Sequence, residues 1–362
     1  MRFKSFSTPY NEIIIGTQII QKGRRAKSTE LNLPAYSINN STGFTPQEDQ
    51  WGDASYTKLS KEGYKYIERG DFAYNPARIN VGSIGLYKEN EPCIVSSLYV
   101  CFKTKPSIIS DYLYIYLKSE KFNKKVLRTQ EGGVRTYFFY DKLEKTKMYI
   151  PSLEEQVKIS NFLNLLDFRI QTQNKIIEDL FLLKKSITHN VFNNSSSEKI
   201  KLCNLIDIST GKRDANESDE HGIYPFFTCG KETLKINKYS FEGESLLISG
   251  NGEIGQVKYY SGKFDAYQRT YVLQNSKRPI LYLKAYLEFI LPMIVEREKQ
   301  QSAMPYIVLG TLKNIDVPIL DINKTNSIIS TFKAIDKKIE RENKYKELLN
   351  KEKRYLLSNL FI

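Results

Sequence analysis

Positions 159, 163, 166, 170, 173, 177, 180, 184, 187 and 191 are spaced alternately by four and three and read Ile, Leu, Leu, Ile, Gln, Ile, Leu, Lys, Ile, Val. That is an a/d heptad seam, and its 3.5-residue period commits the stretch from Ile150 to Phe192 to a helix that supercoils on a partner. A helix of about 40 residues is roughly 60 Å long, so its apolar stripe needs a partner of similar length. The chain carries one. Adding 169 to each number gives Ile328, Phe332, Ile335, Ile339, Glu342, Lys346, Leu349, Lys353, Leu356 and Leu360. Asp167 maps to Asp336 and Phe192 to Phe361. The polar seam positions Gln173 and Lys184 map to Glu342 and Lys353. A shared hydrophobic period alone does not reproduce polar interruptions, so the C-terminal segment reads as a second copy of the same helix. The core-facing seam is expected at Ile159, Leu163, Leu166, Ile170, Ile177 and Leu180, against Ile328, Phe332, Ile335, Ile339, Leu349 and Leu356.

Between and before the helices the two halves repeat loosely. Gly23-Arg24-Arg25 parallels Gly211-Lys212-Arg213, and Leu33-Pro34 parallels Tyr224-Pro225. Gly70-Asp71-Phe72 parallels Gly243-Glu244-Ser245, and Ser83-Ile84-Gly85 parallels Glu253-Ile254-Gly255. Gly133-Val134-Arg135-Thr136-Tyr137 parallels Ser302-Ala303-Met304-Pro305-Tyr306, and Pro151 parallels Pro318. Turns and strand edges recur while the sequence between them diverges. The division that follows is a mixed α/β domain over 1–150, a long helix over 151–192, a second mixed domain over 193–318 and a second long helix over 319–362. The fold class is α+β: two mixed domains joined by two long helices that form an intramolecular antiparallel coiled coil with pseudo-two-fold symmetry.

Within the first domain, Glu12–Ile15, Cys93–Phe102 and Tyr137–Tyr140 read as strands. Ser110 to Leu127 reads as one amphipathic helix with Ser110 as its N-cap. The run Asn193-Asn194-Ser195-Ser196-Ser197 reads as a short hinge. The lead-in Lys201-Leu202-Cys203-Asn204-Leu205-Ile206 finds only a poor match in residues 1–12.

The formal net charge is +13. Lys and Arg exceed Asp and Glu by 8 over 1–152, by 1 over 193–318 and by 4 over 319–362, and they balance over 153–192. Such a balance suits either a solvated surface or a polyanion partner, nucleic acid being the commonest. Cys93, Cys101, Cys203 and Cys229 form no CxxC pair, and His189 and His221 are the two histidines. No zinc or other metal site, no cofactor and no disulfide framework is expected, which suits a reducing cytoplasm. The N-terminus lacks an apolar signal core, and the apolar run Leu281 to Val295 carries Lys284, Glu288 and Pro292, too charged and too short to span a membrane.

A catalytic constellation is not found. Tyr74-Asn75-Pro76-Ala77 superficially resembles the NPP-aromatic motif of amino-group DNA methyltransferases but lacks the second proline and the aromatic. Gly82-Ser83-Ile84-Gly85 and Gly250-Asn251-Gly252-Glu253-Ile254-Gly255 contain no GKS or GKT and read as tight turns. Two scattered histidines argue against a Ser-His-Asp triad. Asp71 and Glu244, each after a glycine, read as turn residues.

Pro151-Ser152-Leu153-Glu154-Glu155-Gln156, followed by Ile159, Leu163, Leu166-Asp167 and Ile170, is similar to the central region of type I restriction–modification specificity subunits. The plan of two variable target-recognition domains separated by two similar helices resembles that family as well. So do Gly70-Asp71-Phe72, Gly82-Ser83-Ile84-Gly85 and their counterparts in the second half. The likeness covers nearly the whole chain. It departs at Pro318-Ile319-Leu320-Asp321-Ile322-Asn323, which stands in place of PSLEEQ.

The resemblance implies a non-catalytic subunit that binds double-stranded DNA and holds two methyltransferase subunits, with restriction/translocase subunits added in the full complex. Each recognition domain would read one half of a split, asymmetric target, and the helices would set the distance between the halves. Partners would dock on the exposed helix faces and adjoining domain walls. Reading bases needs Arg, Lys, Asn, Gln and Ser at base edges, and holding phosphates needs basic and hydroxyl groups. The candidates at turns are Arg24, Arg25, Arg78, Asn80, Arg135 and Tyr137 in the first domain. In the second they are Lys212, Arg213, Asn251, Gln268, Arg269, Gln301 and Tyr306. Two rival readings remain: the recognition portion of a fused restriction–methylation enzyme, and a stand-alone coiled-coil DNA-binding regulator.

Overall fold

A computed structural model of the chain describes residues 3, 5–48, 61–129, 137–193, 197–301 and 306–361, with 298–301 described by their helical backbone. It divides into two compact units, 1–173 with 345–362, and 174–344.

The first unit runs β1 (Asn11–Ile14), α1 (Ile15–Gln18), β2 (Ile19–Lys22), β3 (Ala35–Asn39), β4 (Gly43–Pro46), β5 (Lys65–Ile67), β6 (Asp71–Tyr74), β7 (Ile84–Leu86), β8 (Cys93–Val95) and β9 (Val100–Thr104). Then come α2 (Ser110–Leu117), α3 (Glu120–Arg128), α4 (Tyr140–Glu144), β10 (Lys147–Ile150) and the start of α5 (Leu153–Asn193). Strands β2, β9, β6 and β7 form one sheet in that order, and β4, β3, β8 and β5 form another. All pairings are antiparallel except β3 with β8. Every residue of β6 is buried. Phe72 stacks on Phe102 at 4.6 Å between centroids, and α2 and α3 cover that sheet with Tyr112, Leu113, Tyr116, Phe122 and Val126.

Local chemistry revises five expectations here. The expected helix from Ser110 to Leu127 is two helices, because Ser119 breaks it and caps α3 by accepting the Phe122 N–H at 3.3 Å. The N-cap of α2 is Ile109 rather than Ser110, and the Ile109 N–H is satisfied by Gln156 Oε1 at 2.9 Å. Cys93–Phe102 is two strands around a turn at Ser96-Ser97-Leu98, and Tyr137–Phe139 is extended chain leading into α4 rather than a strand. Asp71 is not in a turn: it opens β6, fully buried, and accepts the Glu68 N–H at 2.9 Å, while burial raises its carboxyl above the usual range. The region of the hinge at 194–196 lies outside the described residues.

The second unit runs β11 (Lys199–Lys201), α6 (Leu202–Leu205), β12 (Asp207–Thr210), β13 (Tyr224–Phe227), β14 (Leu234–Ile236), β15 (Phe241–Ser249), β16 (Val257–Ala266) and β17 (Thr270–Gln274). It continues through α7 (Ile280–Gln301), α8 (Leu309–Lys313), β18 (Asp316–Pro318) and the start of α9 (Ile322–Leu360). Its sheet order is β12-β17-β15-β16-β13-β14. The frame repeats that of the first unit. In each, a short strand and a four-residue helix open the unit, and the opening strand pairs antiparallel with the strand before the long helix, β1 with β10 and β11 with β18. The counterpart of the lead-in at 201–206 is therefore 14–19 and not residues 1–12. The ten-residue β16 does what β7 and β8 do separately: its first part pairs with β15 and its last two residues run parallel to β13. Glu244 lies inside β15, where it accepts the Tyr259 hydroxyl at 2.6 Å. No helix among the described residues is long and apolar enough to cross a membrane.

The long helices carry the seam as the period requires. Ile159, Leu163, Leu166, Ile177, Phe332, Ile335, Ile339, Leu349, Leu356 and Leu360 are buried, and Ile170, Leu180 and Ile328 are half-buried. In the first unit the N-terminal half of α5 meets the C-terminal half of α9: Ile159, Leu163 and Leu166 share a core with Leu349, Leu356, Leu360 and Phe361. In the second unit the C-terminal half of α5 meets the N-terminal half of α9, through Ile187, Val191 and Phe192 against Ile328 and Phe332. This exchange of halves is what antiparallel pairing gives.

The start of α5 explains the PSLEEQ motif. Gln156 is buried, donates from Nε2 to the Pro151 carbonyl at 3.0 Å and accepts the Ile109 N–H, so one amide holds strand end and helix cap together. In the second unit Tyr282 takes over part of that task, donating its hydroxyl to the Pro318 carbonyl at 2.6 Å. Thr325 stands buried where Gln156 stands in the first unit, and Asp321 caps α9 by accepting the Lys324 N–H at 2.9 Å. The departure from PSLEEQ is thus matched by a tyrosine on the facing helix.

Candidate nucleic-acid interface

Among the described residues, strand registers bring the loops that carry Arg24, Arg25, Arg78, Asn80, Lys212, Arg213, Asn251, Gln268 and Arg269 to one end of one sheet in each unit. In the first, β2 ends beside Cys101, β6 ends at Tyr74 opposite Val100, and β9 begins there. In the second, β12 ends at Thr210 opposite Tyr271, β15 ends at Ser249 opposite Thr270, and β17 begins there. The loops leaving these ends carry the arginines and amides, and the segments that hold Tyr137 and Tyr306 bond to them.

The second unit gathers them most closely. Asn251, Gln268, Arg269 and Tyr306 line one cavity of about 380 Å³ with Thr210, Gly250, Tyr271 and Ile307. Backbone bonds fix the three segments: Gly250 N–H donates to Arg269 O at 3.0 Å, and Ile307 N–H to Gly250 O at 2.9 Å. A Cβ on Gly250 would stand 2.7 Å from the Arg269 carbonyl, so the close approach requires glycine. The Tyr271 hydroxyl donates to Ile307 O at 2.8 Å beneath. Gln268 N–H donates to Arg213 O at 3.0 Å, which places the Lys212-Arg213 loop alongside. Lys212 is exposed. Gln301 ends α7 away from these turns in sequence, and its side chain is outside the described residues.

The first unit has the same frame. Phe138 N–H donates to Pro76 O at 2.9 Å, as Ile307 does to Gly250, so Tyr137 is held beside the loop that carries Arg78 and Asn80. Tyr137 and Phe139 stack at 5.3 Å with both rings exposed, while Phe138 between them is buried. Gly82 turns that loop at φ +89, a left-handed conformation glycine adopts freely. Arg78 is exposed and Asn80 half-buried. Arg135 lies outside the described residues. Arg25 is exposed and its backbone bridges to Lys65, whose Nζ donates to the Tyr99 carbonyl at 2.5 Å.

Two of the arginines are engaged by acids. Arg24 makes a two-pronged bond to Glu30, at 2.6 and 2.9 Å, and lies 3.7 Å over the Tyr66 ring. The Arg24 guanidinium and the Lys27 N–H hold the Glu30 carboxyl down to about 2. Arg213 bonds Glu217 at 2.9 Å and the buried Asp265 at 3.4 Å, which raises its guanidinium above the usual range. By contrast, the side chains of Asn251, Gln268 and Arg269 have no hydrogen-bond partner among the described residues and line the cavity. Sequence reading passed over Leu98 and Phe139. Leu98 is 75% exposed at a turn tip, and its signal is an apolar residue inside a Ser-Ser-Leu turn. For Phe139 the signal is alternation in Tyr137-Phe138-Phe139. No group of His, Cys, Asp and Glu among the described residues is arranged to hold a metal ion.

A duplicated mixed domain, each copy followed by a long helix and each presenting donors at the same sheet end, defines a two-headed recognition protein. The chain belongs to the family described as type I restriction modification DNA specificity domain, which matches residues 14–181 and again 194–351. It is 40% identical to the type I restriction enzyme EcoDI specificity subunit of Escherichia coli over 123 residues, 33% of this chain and 27% of that protein's length. It is 28% identical over 331 residues to the MjaVIII specificity subunit of Methanocaldococcus jannaschii, covering 78% of this chain and 76% of that one. The fold is that of the type I restriction–modification S subunit from M. genitalium, with a TM-score of 0.66 at 17% identity over 100% of this chain and 99% of that one. A chain from a structure of type I restriction–modification complex assembly and conformational transition follows at 0.63 and 14%, covering 97% of each.

Proposed function

We propose that this chain is the non-catalytic, DNA-reading subunit of a type I restriction–modification complex. Each unit reads one half of a split, asymmetric double-stranded target through the loops at the ends of its central sheet. The working division is a first head over 1–150, a second over 193–318, and the helices 151–192 and 319–362 as the frame that carries them. The observation behind this reading is a contact that recurs in both units: the segment after Tyr137 or Tyr306 donates a backbone N–H to the turn that follows β6 or β15, Phe138 to Pro76 O and Ile307 to Gly250 O. Arg25, Arg78 and Lys212 supply cations for phosphates, while Asn251, Gln268 and Arg269 supply groups for base edges. The strong excess of cations in the first half suits phosphate binding there.

Chemistry belongs to partner subunits in this reading. Methyltransferase subunits, two by the duplication, dock on the outer faces of the helices, and restriction/translocase subunits join in the full complex. Support comes from apolar side chains left outward on α5: Leu165 and Phe168 in the first unit, and Phe181 and Leu182 beside an apolar groove against α7 in the second. Where exposed apolar groups gather into a contiguous patch or groove, as beside Phe181 and Leu182, they mark an interaction site. Co-expression of the chain with its cognate methyltransferase tests the reading. The two are expected to co-purify, and Phe168→Asp with Leu182→Asp to weaken that association while the chain stays folded. A chain that purifies alone and leaves methylation unaffected favours the stand-alone regulator instead.

A further inference from the structure

The two heads are built alike but armed differently at one turn. The turn before β17 is closed by Thr270 N–H donating to Tyr267 O at 2.8 Å, and the turn before β9 by Tyr99 N–H donating to Ser96 O at 3.1 Å. That bond sets Tyr99 on Thr270, and so Leu98 on Arg269 and Ser97 on Gln268. The neighbouring loop agrees: Asn75 N–H bonds Ser83 O as Ser249 N–H bonds Gln256 O, which sets Pro76 on Gly250 and Ala77 on Asn251. At the same tip, then, the second head presents a guanidinium with no partner among the described residues, flanked by two amides, and the first presents an exposed leucine flanked by serine and alanine.

Resting on the reading that these sheet ends face DNA, we propose that this turn is the specificity-determining turn of each head, with Arg269 reading a guanine and Leu98 packing on a thymine methyl. A guanidinium matches O6 and N7 of guanine with two donors in the major groove, and an apolar side chain distinguishes thymine by its C5 methyl. Arg24 and Arg213 differ in kind. Both are held by carboxylates, which suits fixing the loops and the phosphates rather than reading an edge. Leu98 is 75% exposed, the highest value among the described large apolar residues.

The test uses the complex with its methyltransferase and maps methylated sites across the host genome. The unaltered chain is expected to give a two-part motif. Arg269→Leu then makes one former G·C position degenerate in one arm only, with discrimination falling on the order of tenfold or more. Leu98→Arg alters one position in the other arm only. Arg269→Gln moves the preference at its position toward adenine, and serves as the milder variant should Arg269→Leu lower the yield of folded complex. An unchanged motif with Arg269→Leu overturns the assignment, as does a uniform drop in methylation at every motif copy with a shallower salt dependence, the mark of a phosphate contact. If the unaltered chain gives no two-part motif, the general DNA-reading function fails first, and that failure is told apart by the control.

Discussion

Asp167 on α5 bonds Lys353 on α9 in the first unit, and the same pair recurs with the helices exchanged in the second, where Lys184 on α5 bonds Asp336 on α9 at 2.5 Å. Asp336 and Lys353 are the images of Asp167 and Lys184 under the 169-residue shift. A pair that maps onto itself with its helices swapped is the signature of a duplicated helix folded back on its copy. It also sets the register, because a slip of one turn separates both pairs.

Reversal of one pair tests this register. Asp167→Lys places two cations together and is expected to lower the melting temperature, and adding Lys353→Asp is expected to recover most of the loss. The Asp167 side chain is 38% exposed, so solvent screening keeps the coupling small, about 0.2–1 kcal/mol. A double-mutant cycle by thermal melting measures it, and additive losses would argue against the pairing.

The apolar seam should matter more than the ion pairs. Leu163 is fully buried in the core shared by α5 and α9, so Leu163→Ala is expected to cost about 2–5 kcal/mol in denaturant unfolding. Leu166→Asp combined with Ile335→Asp puts a charge into each unit's helix contact and is expected to leave no stable subunit. A normal melt for that variant would remove the helix pairing from the account.

The arginines divide into two behaviours. Replacing Arg24 and Arg25 with Ala in the assembled complex is expected to weaken target binding and reduce the salt slope by about 1–2. Unchanged affinity and salt dependence would take both off the interface. Arg213→Ala is expected to lower stability as well, because Asp265 is buried and loses its cation. Arg25→Ala, with no such partner to strand, should melt normally.

Thiol chemistry reports on the two heads separately. Cys203 is exposed, whereas Cys93, Cys101 and Cys229 are buried. Burial pushes both Cys93 and Cys101 up to about 12. Labelling of the folded chain is expected at Cys203 first, with Cys93 and Cys101 reacting only as the first unit opens. The raised thiols favour the folded state fully below their ordinary value near 9, and that contribution is lost as pH rises from there toward 12. Equal reactivity of all four thiols at neutral pH would contradict the packing around β8 and β9.

The helices were legible because their partner lies in the same chain: a repeat of apolar and polar seam residues carries both the period and the pairing. The loops at the site were legible as turns, since Gly82 and Gly250 are demanded by backbone geometry that few residues satisfy. Other features left little trace. The match of α1 to α6 keeps only apolar character at Ile15 and Leu202, too little for the sequence alone to reveal it. The break at Ser119 and the cap supplied by Gln156 depend on a tertiary contact that periodicity does not encode. Asp71 looks like a turn residue beside Gly70 and is instead a buried strand residue. At the interface, sequence reading chose charged and polar groups and so passed over Leu98, whose meaning comes from standing where Arg269 stands in the other head.

The most direct measurement is the pattern of modified adenines in host DNA when the chain is co-expressed with its cognate methyltransferase. A two-part motif with a fixed gap and two different arms is the predicted result. A single continuous motif, identical arms, or no modification at all would contradict a chain built as two unlike reading heads on one duplicated helix.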